Sequence, residues 1–445
     1  MLKILANRDF TYLFTAQVVA LVGTGFLTVG LGLLAYDLAG AQAGAVLGIA
    51  YTIKMIAYVG LSPVAHALVS RLPRKSVLIA ADLIRAGVAL CLPFVDQVWQ
   101  VYGLIFVLQT ASATFTPAFQ SVIPDILTEE EDYTRALSLS RLAYDLENLL
   151  SPALAALVLT VVAYNALFIG TVAGFAVSAF LVARALVPVQ SKTSNRPFME
   201  RLTRGTRIYL ATPRLRGLLA LNLTAAGIGA FVLVNTVVLV RDRFGLSEAD
   251  VALIMACFGG GSMLAALILP RILGQLSERQ VMNSGAVLML LAGLGAAVML
   301  GNPSLNIETI YVFWIVIGFS YSVILTPSGR LLRISAHAED RPAVFTAQFA
   351  LSHACWLLTY PLAGFLGLAF GLELALLVLS LIGAAGLALS LTFWRGDDRQ
   401  ALEHDHPDLP PDHPHLKGAD DHGHRHRHRH VFVIDDEHRA WPTHG

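Results

Sequence analysis

Long apolar runs alternate with short polar segments along most of this chain. Each run is close to the roughly 20 residues that a helix needs to cross a bilayer. The pattern predicts twelve membrane-spanning helices, at residues 11–37, 44–66, 76–95, 98–119, 138–163, 165–187, 215–240, 247–270, 281–301, 308–328, 343–368 and 371–394. The first run exceeds the apolar stretch of about 7–15 residues in a signal peptide, so we expect it to be retained.

Polar segments divide the spans into two sets of six. We expect an N-terminal six-helix half over residues 1–187, a central linker over 188–214, a C-terminal six-helix half over 215–394 and a tail over 395–445. Thr116-Pro117 recurs as Thr326-Pro327, 210 residues later, which suggests a duplicated unit. In transporters built from repeats, the substrate site lies near the bilayer midplane between them.

The basic residues predict how the spans are oriented. They concentrate at the N-terminus, between spans two and three, and in the central linker, all of which fall on one side of the bilayer. Short loops rich in Lys and Arg remain in the cytoplasm. We therefore expect both termini to be cytoplasmic and the protein to lie in a bacterial-type inner membrane.

Composition excludes several classes of protein. Hydrophobic residues make up 56% of the chain and charged residues only 14%, against about 25% charged in soluble domains. This argues against a soluble enzyme. The 31 basic and 31 acidic residues balance, so no nucleic-acid partner is indicated. The sequence contains no phosphate-binding GxxxxGK[ST] motif, so coupling to ATP is not indicated. We expect no cofactor and a monomer.

Charged residues inside the spans are the main functional candidates, because each is costly in a bilayer. Asp82 and Arg85 are three positions apart and can neutralise each other, which favours a structural pair. In span five, Arg141 can pair with Asp145, whereas Glu147 lies about 200° around the helix. One of the two carboxylates then has no partner in span five. It can form a fixed salt bridge with Lys54 of span two, or it can bind a proton and a cation alternately.

His353 in span eleven is a further candidate. A neutral imidazole can bind nickel, cobalt or zinc, and Cys355 is close in sequence. Positions i and i+2 of a helix do not face one another, however. A histidine that is hydrogen-bonded to a neighbouring helix is therefore the alternative.

The tail is rich in histidine. Eleven of the fourteen histidines lie between His404 and His444. Histidine and carboxylate are both ligands for divalent first-row metals. The candidate ligands are His404, His406, His413, His415, His422, His424, His426, His428 and His430. Arginines interleaved with the last of these repel cations, so a pH sensor, a lipid-binding segment and a solvated tail remain alternatives. Its prolines predict disorder without a ligand.

Two sequence segments resemble a known family. The run from His66 to Lys75 resembles the signature after span two in the major facilitator superfamily, although His66, Ser70 and Pro73 replace its glycine, aspartate and second glycine. The run from Pro117 to Asp125 is similar to the drug- and siderophore-exporting branch, which includes macrolide exporters. The resemblance implies a gating loop, here with candidate residues His66, Arg71, Arg74 and Lys75. The His-rich tail is similar to that of nickel-resistance exporters.

These observations predict an all-α membrane transporter with twelve helices in two halves and a disordered cytoplasmic tail. We expect proton-coupled export of a divalent metal, nickel or cobalt, by alternating access. Glu147, Asp145, Lys54, Arg141 and His353 are the expected coupling residues. The alternative is a multidrug, macrolide or siderophore exporter whose tail is incidental.

Overall fold

The structure, a computed structural model, describes residues 2–61, 72–127, 153–187, 198–302, 304–337 and 340–394. It also describes scattered residues between 129 and 151, and residues 401–405, 420–421, 426–431, 433, 434, 438 and 441 of the tail. The helices named below are α1 (Arg8–Ala39), α2 (Ala43–Ile56), α3 (Arg74–Cys91), α4 (Val98–Ile126), α5 (Asn165–Arg184), α6 (Phe198–Ala211), α7 (Pro213–Val238), α8 (Glu248–Ile272), α9 (Glu278–Leu300), α10 (Ile307–Leu325), α11 (Ser328–Ile334), α12 (Arg341–Phe370) and α13 (Leu372–Phe393).

Ten stretches of the described chain are long and apolar enough to cross a membrane. The first, Arg8–Gly60, contains both α1 and α2. These two helices are separated by a 3-10 turn in which Gly40 has a φ of +54°, a conformation that favours glycine. Eleven of the twelve predicted spans therefore coincide with described helices. In the predicted span at 138–163, residues 153–159 are helical, whereas residues 144–150 lie outside the described residues.

Capping side chains fix where several helices begin. The Asn7 side chain accepts hydrogen bonds from the backbone N–H groups of Asp9 and Phe10 at the start of α1. Ser247 and Ser277 form capping boxes at the starts of α8 and α9. Such caps satisfy N–H groups that have no partner within the helix. Proline does not end α4, which continues past Pro117 to Ile126, beyond the predicted end at 119.

Helices α1–α5, called here the N-terminal group, pack around α5. It lies against both α1 and α3, and α3 lies against α4. The Tyr164 hydroxyl, just before α5, donates a 2.6 Å hydrogen bond to Asp37 near the end of α1. Burial and this carboxylate raise the pKa of Tyr164, so the hydroxyl keeps its proton. At the other end of the group, Lys75 donates to the Ala185 carbonyl at 2.9 Å.

Helices α7–α13, called here the C-terminal group, pack around the buried α7. Helix α7 contacts α12 and α13, and α8 packs closely on α10. Gly261 permits that approach, because a Cβ at this position would collide with the Ile315 backbone. The linker region 188–214 contains α6, whose Arg204 binds Asp340 at the start of α12 through two contacts, at 2.5 and 2.9 Å.

The bundle has two ends. The end that carries the starts of α1, α3, α7 and α12 is called here the linker side, and the opposite end the far side. On the far side α2 packs against α12. A Cβ on Gly364 would stand 2.6 Å from the Gly44 carbonyl oxygen and 3.2 Å from the Gly48 Cα. A Cβ on Gly44 would also stand 2.7 Å from the Asn235 Oδ1 of α7. The two groups are therefore in close contact on this side.

Part of the tail is ordered, which corrects the prediction of disorder for those residues. Strands β1 (Ala401–Asp405), β2 (Asp420–Asp421) and β3 (His426–Val431) form an antiparallel sheet in the order β1-β3-β2. The alternating sequence of β3 has the two-residue period of a strand. Farther on, Ile434 is fully buried and the Arg214 guanidinium lies 5.5 Å from the Trp441 ring centroid. The tail is thus attached at the start of α7.

Candidate functional site

A cluster of one cation and three rings connects the two groups of helices near the middle of the bundle. It comprises Lys54 of α2, Tyr58 in the π-helical turn that follows, and Phe349 and His353 of α12. We call it the Tyr58 cluster. The Lys54 Nζ lies 5.7 Å from the Tyr58 ring centroid, and the Tyr58 ring packs edge-on at 5.4 Å against the His353 imidazole. A contact of this kind between cation and ring contributes about 0.5–1 kcal/mol or more.

The local backbone explains how the Tyr58 cluster is positioned. Residues 57–61 form a π-helical turn, a wider conformation that is frequent at functional sites in helices. Within α12, Phe349 and His353 are four residues apart and their ring centroids are 4.0 Å apart. The His353 Nδ1 is 2.6 Å from the Phe349 carbonyl oxygen, which holds the imidazole against its own helix.

Five further aromatic rings form a chain of contacts from α2 into the C-terminal group. Tyr51 of α2 contacts Tyr360 at 5.0 Å between centroids, and Tyr360 contacts Trp356 at 5.0 Å. Trp356 reaches Tyr321 of α10 at 6.3 Å, and Tyr321 reaches Phe258 of α8 at 5.6 Å. We call these five residues the aromatic wall. Large, rigid rings with an occasional hydroxyl are typical of sites for organic ligands.

A glycine makes space for the aromatic wall. A Cβ on Gly229 of the neighbouring α7 would stand 2.8 Å from the Trp356 ring. Any larger residue there would push the indole out of its position. Four helices therefore supply the rings of the aromatic wall, and the glycine of a fifth helix, α7, leaves room for the Trp356 ring.

His353 and Cys355 do not form a metal site. The Cys355 thiol lies 3.6 Å from the Leu351 carbonyl and 4.0 Å from that of Leu219 in α7, whereas His353 contacts Tyr58, just beyond α2. The two side chains therefore face different helices, as expected from their i, i+2 spacing. Among the described residues, no group of three His, Cys, Asp or Glu side chains is placed to hold a metal ion.

Asp82 and Arg85 form the predicted ion pair, and it is structural. Both are buried within the N-terminal group. Ser178 of α5 donates to the Asp82 carboxylate at 2.7 Å. The Arg85 guanidinium lies between the Phe115 and Phe175 rings, 4.3 and 4.5 Å from their centroids. These contacts join α3, α4 and α5.

Several predicted site residues lie outside the described residues. These are Arg141, Asp145 and Glu147 of span five, His66 and Arg71 of the gating loop, and His406, His413, His415, His422 and His424 of the tail. Their assigned roles remain predictions. Of the other gating residues, Arg74 begins α3 and Lys75 binds the end of α5. His404, His426, His428 and His430 lie in the tail sheet.

Sequence reasoning missed the aromatic wall. Its members come from α2, α8, α10 and α12, which are separated by as much as 309 residues between Tyr51 and Tyr360. Each ring alone is an ordinary residue of an apolar helix. A usable signal was the spacing of Phe349, His353, Trp356 and Tyr360, which repeats every three or four residues and places four rings on one side of α12.

Comparison with known proteins identifies similar sequences and folds. The model of the Major Facilitator Superfamily matches residues 13–305 and 217–428. Macrolide efflux protein A of Streptococcus pyogenes is 25% identical over 294 residues, which cover 63% of this chain and 70% of that protein. Macrolide efflux protein A of Enterococcus faecalis is 26% identical over 246 residues, covering 52% of this chain and 74% of that protein.

Solved structures share the fold at low sequence identity. A bacterial homologue of the human lysosomal transporter Spinster, in an inward-facing and unoccupied conformation, has a TM-score of 0.66 at 13% identity, covering 87% of this chain and 98% of that chain. The nucleoside transporter NupG has a TM-score of 0.62 at 15% identity, covering 86% of this chain and 98% of that chain.

Proposed function

Because the chain belongs to the major facilitator superfamily, we propose that it is a secondary active transporter that exports organic solutes of the macrolide type. The observation that carries this proposal is the aromatic wall, in which Tyr51 of the N-terminal group contacts the rings of the C-terminal group. Aromatic side chains with a few polar groups suit contact with a large organic molecule. The two macrolide efflux relatives support the same class of substrate.

The transport cycle would alternate access between the two sides of the bundle. The described conformation is closed on the far side by α2, α7 and α12. Opening that side requires α2 to separate from α7 and α12. The Tyr58 cluster would then rearrange, because Lys54 and Tyr58 move with one group, and Phe349 and His353 with the other. Release to the far side would follow this separation.

Proton coupling is part of the proposal. Lys54, Arg141, Asp145, Glu147 and His353 are the residues to which we assign it. An intramembrane carboxylate whose pKa is raised by burial can exchange a proton as the cavity opens and closes. We assign the linker side to the cytoplasm on the basis of its Lys and Arg residues. The protein would then be a monomer of a bacterial inner membrane with both termini in the cytoplasm.

Export of a divalent metal is the second candidate. The observation in its favour is the local concentration of histidine in the tail. Against it, the described part of the bundle contains no group of metal ligands, and the residues at its centre are mostly aromatic. A transported metal requires ligands along its path, and imidazole or carboxylate groups are the usual ones. The organic substrate is therefore the better supported of the two.

A resistance assay separates the two candidates. The chain is expressed in a bacterium that lacks its own macrolide and nickel exporters, and growth is measured against a macrolide, nickel and cobalt. We expect macrolide tolerance to rise and metal tolerance to stay at the level of the empty vector. Increased nickel or cobalt tolerance without macrolide tolerance would overturn the proposal. An inactive protein, present in the membrane and folded, would overturn both candidates.

A further inference from the structure

Two buried tyrosines meet where the two groups of helices join. Tyr51 of α2 is 8% exposed and Tyr360 of α12 is 6% exposed. Their ring centroids are 5.0 Å apart, and this contact joins the N-terminal group to the C-terminal group. Gly48 permits the approach, because a Cβ at this position would stand 2.9 Å from the Tyr360 carbonyl oxygen. Both rings are therefore enclosed at the junction of the two groups.

Buried tyrosine hydroxyls elsewhere in the bundle bind a protein partner. The Tyr164 hydroxyl donates to the Asp37 carboxylate at 2.6 Å. The Tyr209 hydroxyl donates to the Gln348 side chain and so joins α6 to α12. Partners of this kind are usual, because a buried hydroxyl that makes no hydrogen bond is costly. These two hydroxyls are therefore part of the structure itself.

The hydroxyls of Tyr51 and Tyr360 differ from these. Among the residues that the structure describes, neither hydroxyl forms a hydrogen bond. Each keeps an O–H donor and acceptor lone pairs that the fold does not use. Since buried polar groups in proteins have partners, the partner here comes from outside the chain. Water can serve while the site is empty, and a solute with oxygen atoms can replace it.

We propose that the hydroxyls of Tyr51 and Tyr360 form a hydrogen-bonding subsite for oxygen atoms of the transported solute. This inference rests on the proposed export of macrolide-type solutes and specifies how they are recognised. A phenol hydroxyl donates to carbonyl, ether and hydroxyl oxygens, and it accepts from hydroxyl groups. The subsite therefore selects a neutral, oxygen-rich part of the solute, such as a lactone carbonyl or a sugar hydroxyl. The Trp356 ring, 5.0 Å from Tyr360, supplies an apolar face beside it.

The position of the subsite connects recognition to the transport cycle. Tyr51 lies in α2 and Tyr360 in α12, and the far side opens when these two helices separate. A solute that binds both hydroxyls therefore loses one of its two partners when the far side opens. A ligand stabilises the state that it binds better. The affinity for the solute is then lower on the side of release, which favours export.

Removing the hydroxyls singly and together tests the subsite. The variants are Tyr51→Phe, Tyr360→Phe and the double variant, all of which keep the rings. The matched control is Tyr102→Phe of α4, because Tyr102 is half-buried, lies outside the aromatic wall and makes no hydrogen bond to the described part of the chain. Binding of radiolabelled erythromycin, a macrolide, is measured with the full-length protein in detergent. The concentration dependence of its export is measured in proteoliposomes.

We expect each single substitution to weaken erythromycin binding about three- to tenfold, and the double variant at least about tenfold, which is the contribution of one and two hydrogen bonds. The concentration for half-maximal export should rise by the same factor, while the maximal rate changes little. Tyr102→Phe should leave both quantities within about twofold of the unsubstituted protein.

Thermal unfolding separates recognition of the solute from a structural role. Without solute, Tyr51→Phe and Tyr360→Phe should leave the unfolding midpoint unchanged or raise it, because the protein loses no hydrogen bond of its own. Tyr209→Phe is the comparison, since it removes the hydrogen bond to Gln348 and should lower the midpoint. A decrease as large as that of Tyr209→Phe would assign the two hydroxyls to the structure and overturn the subsite.

The binding data also distinguish the subsite from the proposed function. Unchanged erythromycin binding in the double variant, or an equal loss in Tyr102→Phe, would overturn the subsite and leave macrolide export standing. Absence of both binding and export in the folded, unsubstituted protein would instead overturn macrolide export, and the subsite with it.

Discussion

Gly48 of α2 and Gly364 of α12 bring the two groups of helices into backbone contact on the far side of the bundle. A Cβ on Gly48 would stand 3.1 Å from the Gly364 Cα and 2.9 Å from the Tyr360 carbonyl oxygen. Two helices can approach this closely only where neither has a side chain between them. The contact lies one turn from Tyr51 and Tyr360, so closure of the far side and assembly of the aromatic wall are coupled.

Substituting Gly48 should therefore hold the far side open. We expect Gly48→Leu to abolish export, because the larger side chain prevents α2 from approaching α12. The control is Gly103→Leu on α4, where a Cβ would meet nothing within 4 Å. The measurement is labelling of Val238→Cys from the far side by a membrane-impermeant thiol reagent, after the three native cysteines are replaced by serine. Labelling that stays unchanged in Gly48→Leu would contradict a gate at this position.

Trp356 should be required for the organic substrate. Truncating a central aromatic anchor typically costs about 2 kcal/mol of binding, which corresponds to more than about tenfold in affinity. We expect Trp356→Ala to raise the substrate concentration for half-maximal export by about that factor. The control is Trp99→Ala on α4, whose side chain is largely exposed on the surface of the bundle. Equal effects of the two substitutions would exclude the aromatic wall as the binding surface.

Asp82 should contribute strongly to stability. Removing one member of a buried ion pair leaves the other charge without its partner and costs about 3–5 kcal/mol. We expect Asp82→Asn to lower the midpoint of thermal unfolding in detergent substantially. Glu373→Gln provides a matched carboxylate-to-amide change in the partly exposed Arg243–Glu373 pair. Such a pair contributes at most about 1 kcal/mol, so its loss should shift the midpoint little. A larger shift for Glu373→Gln would contradict this ranking.

The pair Arg204–Asp340 should attach the linker helix to the bundle. Both side chains are nearly buried, and the two contacts fix the guanidinium in one orientation. We expect Arg204→Ala to release α6 and to speed tryptic cleavage within residues 198–211. The exchanged pair Arg204→Asp with Asp340→Arg should restore part of the protection. If the exchanged pair is cleaved as fast as Arg204→Ala, charge pairing is not what holds the helix.

Hydropathy alone predicted most of the fold, because each span satisfies its own backbone hydrogen bonds and needs only an apolar run of sufficient length. It also predicted the Asp82–Arg85 pair, whose partners are on one helix turn. Hydropathy and spacing along one helix could not predict the Tyr58 cluster. Lys54 and His353 were recognised singly, but their connection through Tyr58 depends on how α2 packs against α12, 299 residues later in the chain.

The choice of substrate depended on the same long-range packing. Histidine content in the tail is visible in the sequence and favoured a metal. The aromatic wall is assembled from α2, α8, α10 and α12, so it becomes visible only in three dimensions and favours an organic solute.

Transport by inside-out membrane vesicles tests the central claim most directly. The vesicles contain the protein and have an interior that is more acidic than the outside medium. They are given a radiolabelled macrolide or nickel. We predict gradient-dependent macrolide uptake that is strongly reduced by Trp356→Ala, unaffected by Trp99→Ala and not inhibited by excess Ni²⁺. Gradient-dependent nickel uptake without macrolide uptake, in vesicles that contain folded protein, would contradict export of an organic solute through the aromatic wall.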